Sequence, residues 1–123
     1  MRPLVRRGRD HVTITPLTRA LKKGDVVLFA RRDGRYVVHR VRRLRVGAVE
    51  TLGDACRNPD GWMPADCIWG LVTRVERGGR AINLDTPFSR SLGRVWMALL
   101  PLRRLYYSAR RFAGRCYHAL KRR

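Results

Sequence analysis

Residues 24–52, GDVVLFARRDGRYVVHRVRRLRVGAVETL, decide the fold. They contain three apolar, β-branched segments separated by short turns: Val26–Ala30, Tyr36–Val46 and Ala48–Leu52. The Asp33-Gly34 pair favours a tight hairpin turn, because glycine accepts a positive φ. Alternation along the second segment puts His39 on the same strand face as its valine neighbours two residues away. These residues predict a β-hairpin extended by a third strand.

The rest of the first two thirds of the chain follows the same pattern. Further strands are predicted at His11–Thr15, Ile68–Val75 and Ala81–Leu84, and residues 53–66 are rich in Gly, Pro, Asp and Asn, which is typical of a loop. Five or six strands with no helical period between them predict a mainly β domain over residues 1–86. We expect a small antiparallel β-barrel or a sandwich-like sheet.

After Pro87 the apolar residues recur every three or four positions, which predicts a helical segment over residues 87–123. The stripe consists of Leu92, Val95, Leu99, Leu102, Tyr106, Ala109, Ala113, Cys116 and Leu120. Ser89 or Ser91 is a candidate N-cap. Pro101 is expected to kink the helix, because proline lacks the amide hydrogen that the helix needs there.

The chain has 28 Lys and Arg residues against 9 Asp and Glu, a formal charge of +19. Residues 1–47 contribute +11, residues 48–88 contribute −2 and residues 89–123 contribute +10. With 45% apolar residues the chain is too hydrophobic for a disordered basic tail. The excess charge therefore indicates a folded protein with an anionic partner: nucleic acid, anionic lipid or an acidic protein surface.

The predicted helix places its cationic residues opposite the apolar stripe. They are Arg94, Arg103, Arg104, Arg110, Arg111, Arg115, Lys121, Arg122 and Arg123. A basic amphipathic helix is typical of an element that lies on an anionic membrane surface or binds a partner. The alternative is that the stripe packs on the sheet and the arginines are simply solvated.

The cysteines, Cys56, Cys67 and Cys116, are odd in number and include no C-x-x-C pair, so neither a zinc ribbon nor a disulfide scaffold is expected. No metal or other cofactor is predicted. The longest apolar run, Val95 to Leu102, is far shorter than the ~20 residues that span a bilayer, and residues 1–25 lack the apolar stretch of a signal peptide. We expect a cytoplasmic protein, with peripheral attachment to the inner face of the membrane as an option.

Short motifs follow one another along the chain: Met1-Arg2-Pro3, then Gly24-Asp25 before an apolar strand, then His39-Arg40-Val41, then Gly53-Asp54 opening a loop that contains Asp60. In this order and spacing, over residues 1–76, they resemble the serine peptidases of the signal peptidase and LexA-like superfamily. The resemblance is to the branch whose general base is histidine.

The resemblance implies an endopeptidase that cleaves an extended peptide lying beside an exposed strand. His39 would be the general base, and Asp60 or Asp54 would fix its tautomer and stabilise the imidazolium. We favour Asp60 for that role and expect Asp54 to be structural. The alternative for His39 is a core histidine that bonds a backbone carbonyl, and for both acids it is ordinary turn chemistry.

In this family the nucleophile lies in a Gly-x-Ser-Met-x-Pro motif, so the serine is expected immediately before Met1. Ser89, Ser91 and Ser108 lie outside that motif. Because loss of the nucleophile lowers kcat by about 10⁶-fold, the printed chain is expected to be inactive. Either the start codon has been placed one motif too late, which we favour, or the chain keeps the fold for binding.

Two alternatives belong to other functional classes. A basic β-barrel that binds nucleic acid is less favoured, because Phe29 and Tyr36 are the only aromatic residues of the early strands and provide no base-stacking platform. A non-catalytic peripheral membrane protein would use the C-terminal helix, with each Lys or Arg near the surface contributing about 1 kcal/mol.

Overall fold

The structure, a computed structural model, describes residues 8–121 and the side chains of residues 8–112. Met1-Arg2-Pro3 and the side chains of Arg115 and Cys116 therefore lie outside the described residues. The elements are β1 His11–Thr15, β2 Val26–Ala30, β3 Tyr36–Arg45, β4 Ala48–Leu52, β5 Trp62–Pro64, β6 Ile68–Arg77, β7 Arg80–Asn83, α1 Pro87–Ala98 and α2 Leu100–Lys121. A 3-10 turn, Ala65–Cys67, joins β5 to β6.

The described strands form a sheet of order β1-β6-β2-β3-β4-β5, with β7 also pairing with β6. All of the pairings are antiparallel. The prediction of a mainly antiparallel β domain followed by a helical segment is confirmed. Of its two forms, the barrel is not adopted, because β1 and β5 remain unpaired edges in the described part of the chain.

The buried core lies where the three strands of residues 24–52 meet β6. Its largest cluster consists of Val27, Phe29, Val41, Val49, Ile68 and Leu71. In the β2–β3 pairing Val27 lies opposite His39, and the ring of Phe29 meets the imidazole edge-on at a centroid distance of 5.8 Å. The predicted alternation therefore holds, and His39 lies at the margin of the core.

The local structure differs from the predictions at several places. The predicted loop of residues 53–66 contains the short strand β5, which pairs with β4. Helix α1 is capped by Thr86, whose hydroxyl oxygen accepts a hydrogen bond from the Ser89 amide, rather than by Ser89 or Ser91. The expected interruption near Pro101 occurs at Leu99, between α1 and α2.

The helices dock on the sheet through a narrow face, not through the predicted stripe. Met97 and Leu100 pack against Leu52, and Gly93 lies against the Arg40 side chain. The members of the stripe with described large side chains are exposed instead, together with three neighbours. We call this set the exposed helical face: Phe88, Leu92, Val95, Leu99, Leu102, Leu105, Tyr106 and Phe112.

Candidate active site

His39 and Asp60 form the centre of the site. The Nδ1 atom of His39, on β3, lies 2.5 Å from Oδ2 of Asp60, which comes from the segment between β4 and β5. The two side chains are only 12% and 8% exposed. A carboxylate on Nδ1 selects the tautomer that carries its proton there and leaves Nε2 free to accept one. This is the arrangement that a general base requires.

Asp60 is held in place by the end of strand β4. Its amide donates to the Thr51 carbonyl oxygen at 2.9 Å, and the Thr51 hydroxyl donates to its Oδ2 at 2.7 Å. Arg31, from the β2–β3 turn, donates to Oδ1 at 2.5 Å. The carboxylate therefore has donors on both oxygens and a fixed direction.

These contacts also set the ionisation of the carboxyl group. Burial alone raises the pKa of Asp60, but hydrogen bonds from His39 and Thr51, the positive charge of His39 and the hydrogen bond from Arg31 outweigh it, so the pKa is lowered below its ordinary value. The carboxylate is thus kept charged opposite the imidazole, where it stabilises an imidazolium.

The other candidate acid, Asp54, has a different partner. Its carboxylate faces the Arg40 guanidinium, with Nε and Nη2 each 3.2 Å from a carboxylate oxygen. Arg40 also donates to the Gly24 carbonyl oxygen at 2.9 Å. The structure brings together three of the sequence motifs through this arginine, while the Asp54 carboxylate does not hydrogen bond to His39.

The Gly24-Asp25 motif supports the same junction. The Asp25 side chain is buried and accepts a hydrogen bond from the Lys22 amide at 2.8 Å. Arg19 donates to both of its carboxylate oxygens, at 2.8 and 3.0 Å. Because Gly24 has a φ of +94° and its Cα faces the Arg90 carbonyl, this turn also fits closely against α1.

The helices brace the segment that leads from Asp54 to Asp60. The Asp54 carbonyl oxygen accepts from Trp96 Nε1 at 2.9 Å and from Arg103 Nη1 at 3.0 Å. The buried Arg103 guanidinium lies over the Trp96 ring at 4.2 Å. Arg104 donates to the Arg57 carbonyl oxygen at 2.9 Å. Arg103 and Arg104, expected on a solvated cationic face, therefore bind the protein itself.

Cys56 is a functional candidate that the sequence interpretation missed. Its Sγ lies 3.9 Å from His39 Nε2, on the side of the ring opposite Asp60. The available signal was the position of Cys56 three residues after Gly53, where its amide bonds the Gly53 carbonyl oxygen and the turn directs the thiol back toward the strand.

A cavity of about 750 Å³ opens beside this cluster. Its lining includes Phe29, Arg31, Cys56, Asp60, Met63 and Cys67. The edge strand β5 borders it through all three of its residues. The cavity thus gives a ligand access both to the thiol and to the carboxylate that faces the imidazole.

No hydrogen bond joins His39 to Ser89, Ser91 or Ser108, all of which lie in the helices. Within the part of the chain that the structure describes, no group of three His, Cys, Asp or Glu side chains is arranged to hold a metal ion. None of the described helices is long and apolar enough to cross a membrane.

Comparison with known proteins gives no match: neither a family model, nor a curated protein, nor a solved structure is significantly similar to this chain.

Proposed function

We propose that this chain carries the catalytic base of a serine endopeptidase of the signal peptidase and LexA-like type. The observation that supports the proposal most strongly is the 2.5 Å contact between His39 Nδ1 and Asp60, two largely buried side chains. A histidine that merely fills the core would bond a backbone carbonyl instead. Convergence of the Gly24, Arg40 and Asp54 motifs on one junction supports the resemblance further.

In this mechanism His39 Nε2 removes the proton from the serine hydroxyl as the oxygen attacks the scissile carbonyl. His39 then donates that proton to the leaving amine. Asp60 acts by keeping the Nδ1–H tautomer and by stabilising the imidazolium formed between the two transfers. Asp54 is a positioning residue: it holds Arg40 and, through its carbonyl, the helices.

The substrate is an extended peptide that adds to the sheet beside the site. Strand β5 supports this assignment, since it is an unpaired edge in the described chain and borders the cavity. Main-chain hydrogen bonds to such an edge provide affinity, and side-chain pockets provide specificity. The half-exposed Trp62 and the neighbouring Met63 offer an apolar contact for a substrate side chain.

The resemblance implies a nucleophilic serine directly before Met1, because Met1-Arg2-Pro3 matches the end of the family's Gly-x-Ser-Met-x-Pro motif. The test is to read the gene upstream in frame and to express the longer chain. We expect a Gly-x-Ser directly before Met1 and labelling of that serine by a fluorophosphonate probe. His39→Gln should abolish the labelling. A stop codon in that place, or equal labelling of the His39→Gln chain, contradicts the proposal.

A second candidate function, peripheral attachment to an anionic membrane, is favoured by the exposed helical face. Its members Leu102, Leu105 and Phe112 are each more than 60% exposed, and Arg94, Arg110 and Arg111 lie on the same helices with no acid in either helix. Nucleic acid binding would not require so large an apolar surface. Anionic lipid, as found in the inner leaflet, matches both properties.

Co-sedimentation with vesicles tests this attachment. We expect the chain to bind vesicles rich in phosphatidylserine. Leu102→Glu should weaken that binding by about tenfold or more, since it replaces an exposed leucine that would enter the bilayer with a charge that anionic lipid repels. Val46→Glu is the matched control, because Val46 is fully exposed on the β3–β4 turn. Equal loss in the two variants contradicts attachment through the helices.

A further inference from the structure

Cys56, a nucleophile that the peptidase mechanism does not use, lies beside the Nε2 atom of His39. Cys56 Sγ lies 3.9 Å from Nε2, while Asp60 fixes Nδ1 on the other side of the ring. Thiol, imidazole and carboxylate thus stand in the order nucleophile, base and orienting acid within the described residues. Contact of a thiol with a nitrogen free to accept its proton generates the reactive species, because the thiolate is the nucleophile.

The backbone keeps these groups together. A methyl group on Gly53 would lie 2.6 Å from Cys56 Sγ and 2.7 Å from His39 Nε2, so glycine allows the thiol and the ring to close over this residue. The Cys56 amide bonds the Gly53 carbonyl oxygen at 2.9 Å, and Trp96 and Arg103 hold the intervening Asp54 carbonyl. Cys56 therefore lies on a turn braced from both sides.

The thiol is also accessible to small molecules. Cys56 is partly exposed and lines the 750 Å³ cavity. Arg31 and Arg32 line the same cavity; Arg31 is paired with Asp60, whereas Arg32 is exposed and makes no ion pair with any described residue. The cavity thus presents an uncompensated guanidinium to a ligand that reaches the sulfur.

We propose that Cys56 is a modification site for low-molecular-weight disulfides that carry carboxylate groups. The Cys56 thiol transfers its proton to His39 Nε2, and the sulfur attacks one sulfur of the incoming disulfide. A new S–S bond to Cys56 forms as the old S–S bond breaks, and the other half leaves as a thiolate that takes up the proton. Cys56 is oxidised and the leaving half is reduced. Arg32 binds the carboxylate.

The site stands independently of the peptidase, since it needs no residue before Met1. The probe is the aromatic dicarboxylate disulfide 5,5′-dithiobis(2-nitrobenzoate), whose released thiolate is followed by absorbance. Cys67→Ser/Cys116→Ser leaves Cys56 alone. Cys56→Ser/Cys116→Ser leaves Cys67, the matched control, which is partly exposed and lines the same cavity. Near neutral pH we expect Cys56 to react about tenfold faster or more.

Two substitutions test whether His39 and Arg32 cause the faster reaction of Cys56. His39→Gln is expected to lower the rate at which Cys56 reacts with the probe to that of Cys67, and to leave the rate of Cys67 unchanged. Arg32→Ala is expected to slow the reaction of Cys56 with the anionic probe but not with neutral 2,2′-dithiodipyridine. If Cys56 and Cys67 react at equal rates in the two double variants that keep His39, the proposal is overturned. That comparison does not depend on whether His39→Gln folds. Loss of serine labelling with fast Cys56 exchange would reject the peptidase alone.

Discussion

Asp60 decides the chemistry of the site at the scale of single residues. Its side chain is 8% exposed, and removal of a carboxylate from water costs several kcal/mol unless donors replace the water. Here His39, Thr51 and Arg31 supply them. The same three contacts that offset burial also aim the carboxylate at Nδ1, so one set of hydrogen bonds serves both stability and the proposed function.

The lowered pKa of Asp60 predicts a specific loss of stability in acid. A group whose pKa is lower in the folded state stabilises that state fully above its unfolded pKa, near 4, and ceases to do so as the pH falls through the folded pKa. The difference in unfolding free energy between the wild-type chain and Asp60→Asn should therefore be largest near neutral pH and shrink as the pH falls below about 4. Urea unfolding across this range measures it.

The exposed Asp33→Asn chain is the control for this titration, since that carboxylate is mostly solvated. A difference between wild type and Asp60→Asn that stays constant with pH would show that the carboxylate gains nothing from its partners.

His39 and Asp60 were both predictable as candidates, because a histidine between valines on a strand and an acid in a Gly-rich loop are visible in the sequence. The choice between Asp54 and Asp60 depends on long-range contacts, with Thr51 turning one acid inward and Arg40 capturing the other. Cys56 was missed for the same reason. Its meeting with Nε2 depends on a turn three residues long and on helices far along the chain.

At the scale of elements, the contact between α1 and β3 is unusually close. A Cβ on Gly93 would overlap Cδ and Nη1 of Arg40. That guanidinium is held by the Gly24 carbonyl and the Asp54 carboxylate, and is buried, so it has no alternative position. Glycine is therefore required in the middle of this helix, where helix propensity alone disfavours it.

This contact predicts that Gly93→Ala changes the stability of the protein in the direction opposite to that expected from helix propensity. Propensity predicts that Gly93→Ala stabilises a helix by about 1 kcal/mol, whereas overlap with Arg40 should destabilise the protein by about 1–3 kcal/mol. Ser91→Ala, exposed in the same helix, should change the unfolding free energy by no more than about 0.5 kcal/mol. Thermal or urea unfolding of the Gly93→Ala and Ser91→Ala chains measures these changes in unfolding free energy. Stabilisation by Gly93→Ala would contradict the docking.

The helical face that docks could not be found from hydrophobic periodicity. The periodic stripe marks the exposed helical face, while docking uses Gly93, Met97 and Leu100 with hydrogen bonds from Trp96 and Arg103. A face built from a glycine, an arginine and an indole donor has a weak apolar signal. The strands of residues 24–52 were easier to predict from the sequence, because alternation and the Asp33-Gly34 turn act within a few residues.

At the scale of the whole molecule, the sheet region and the helices differ in how far their positive charges are paired with acids. The sheet region pairs its acids with arginines, as in Asp25 with Arg19, Asp54 with Arg40 and Glu50 with Arg42. The helices contain no acid. Among their described side chains, Arg90 pairs with Asp85 and Asp25, and Arg103 and Arg104 donate to carbonyl oxygens of the loop before β5. The remaining charge beside the exposed helical face is what an anionic surface would meet.

The whole account depends on Asp60, rather than Asp54, acting on His39. The most direct measurement uses the chain extended by the proposed Gly-x-Ser before Met1. It compares the rate at which a fluorophosphonate acylates that serine between Asp60→Asn and Asp54→Asn. Both substitutions make the same chemical change in one loop, and circular dichroism checks that both chains fold. We expect Asp60→Asn to lower the rate by about 10³–10⁴-fold, because the wrong tautomer of His39 is then favoured. Asp54→Asn should retain most of the wild-type acylation rate. Equal rates in the two variants, or a greater loss in Asp54→Asn, would contradict the account.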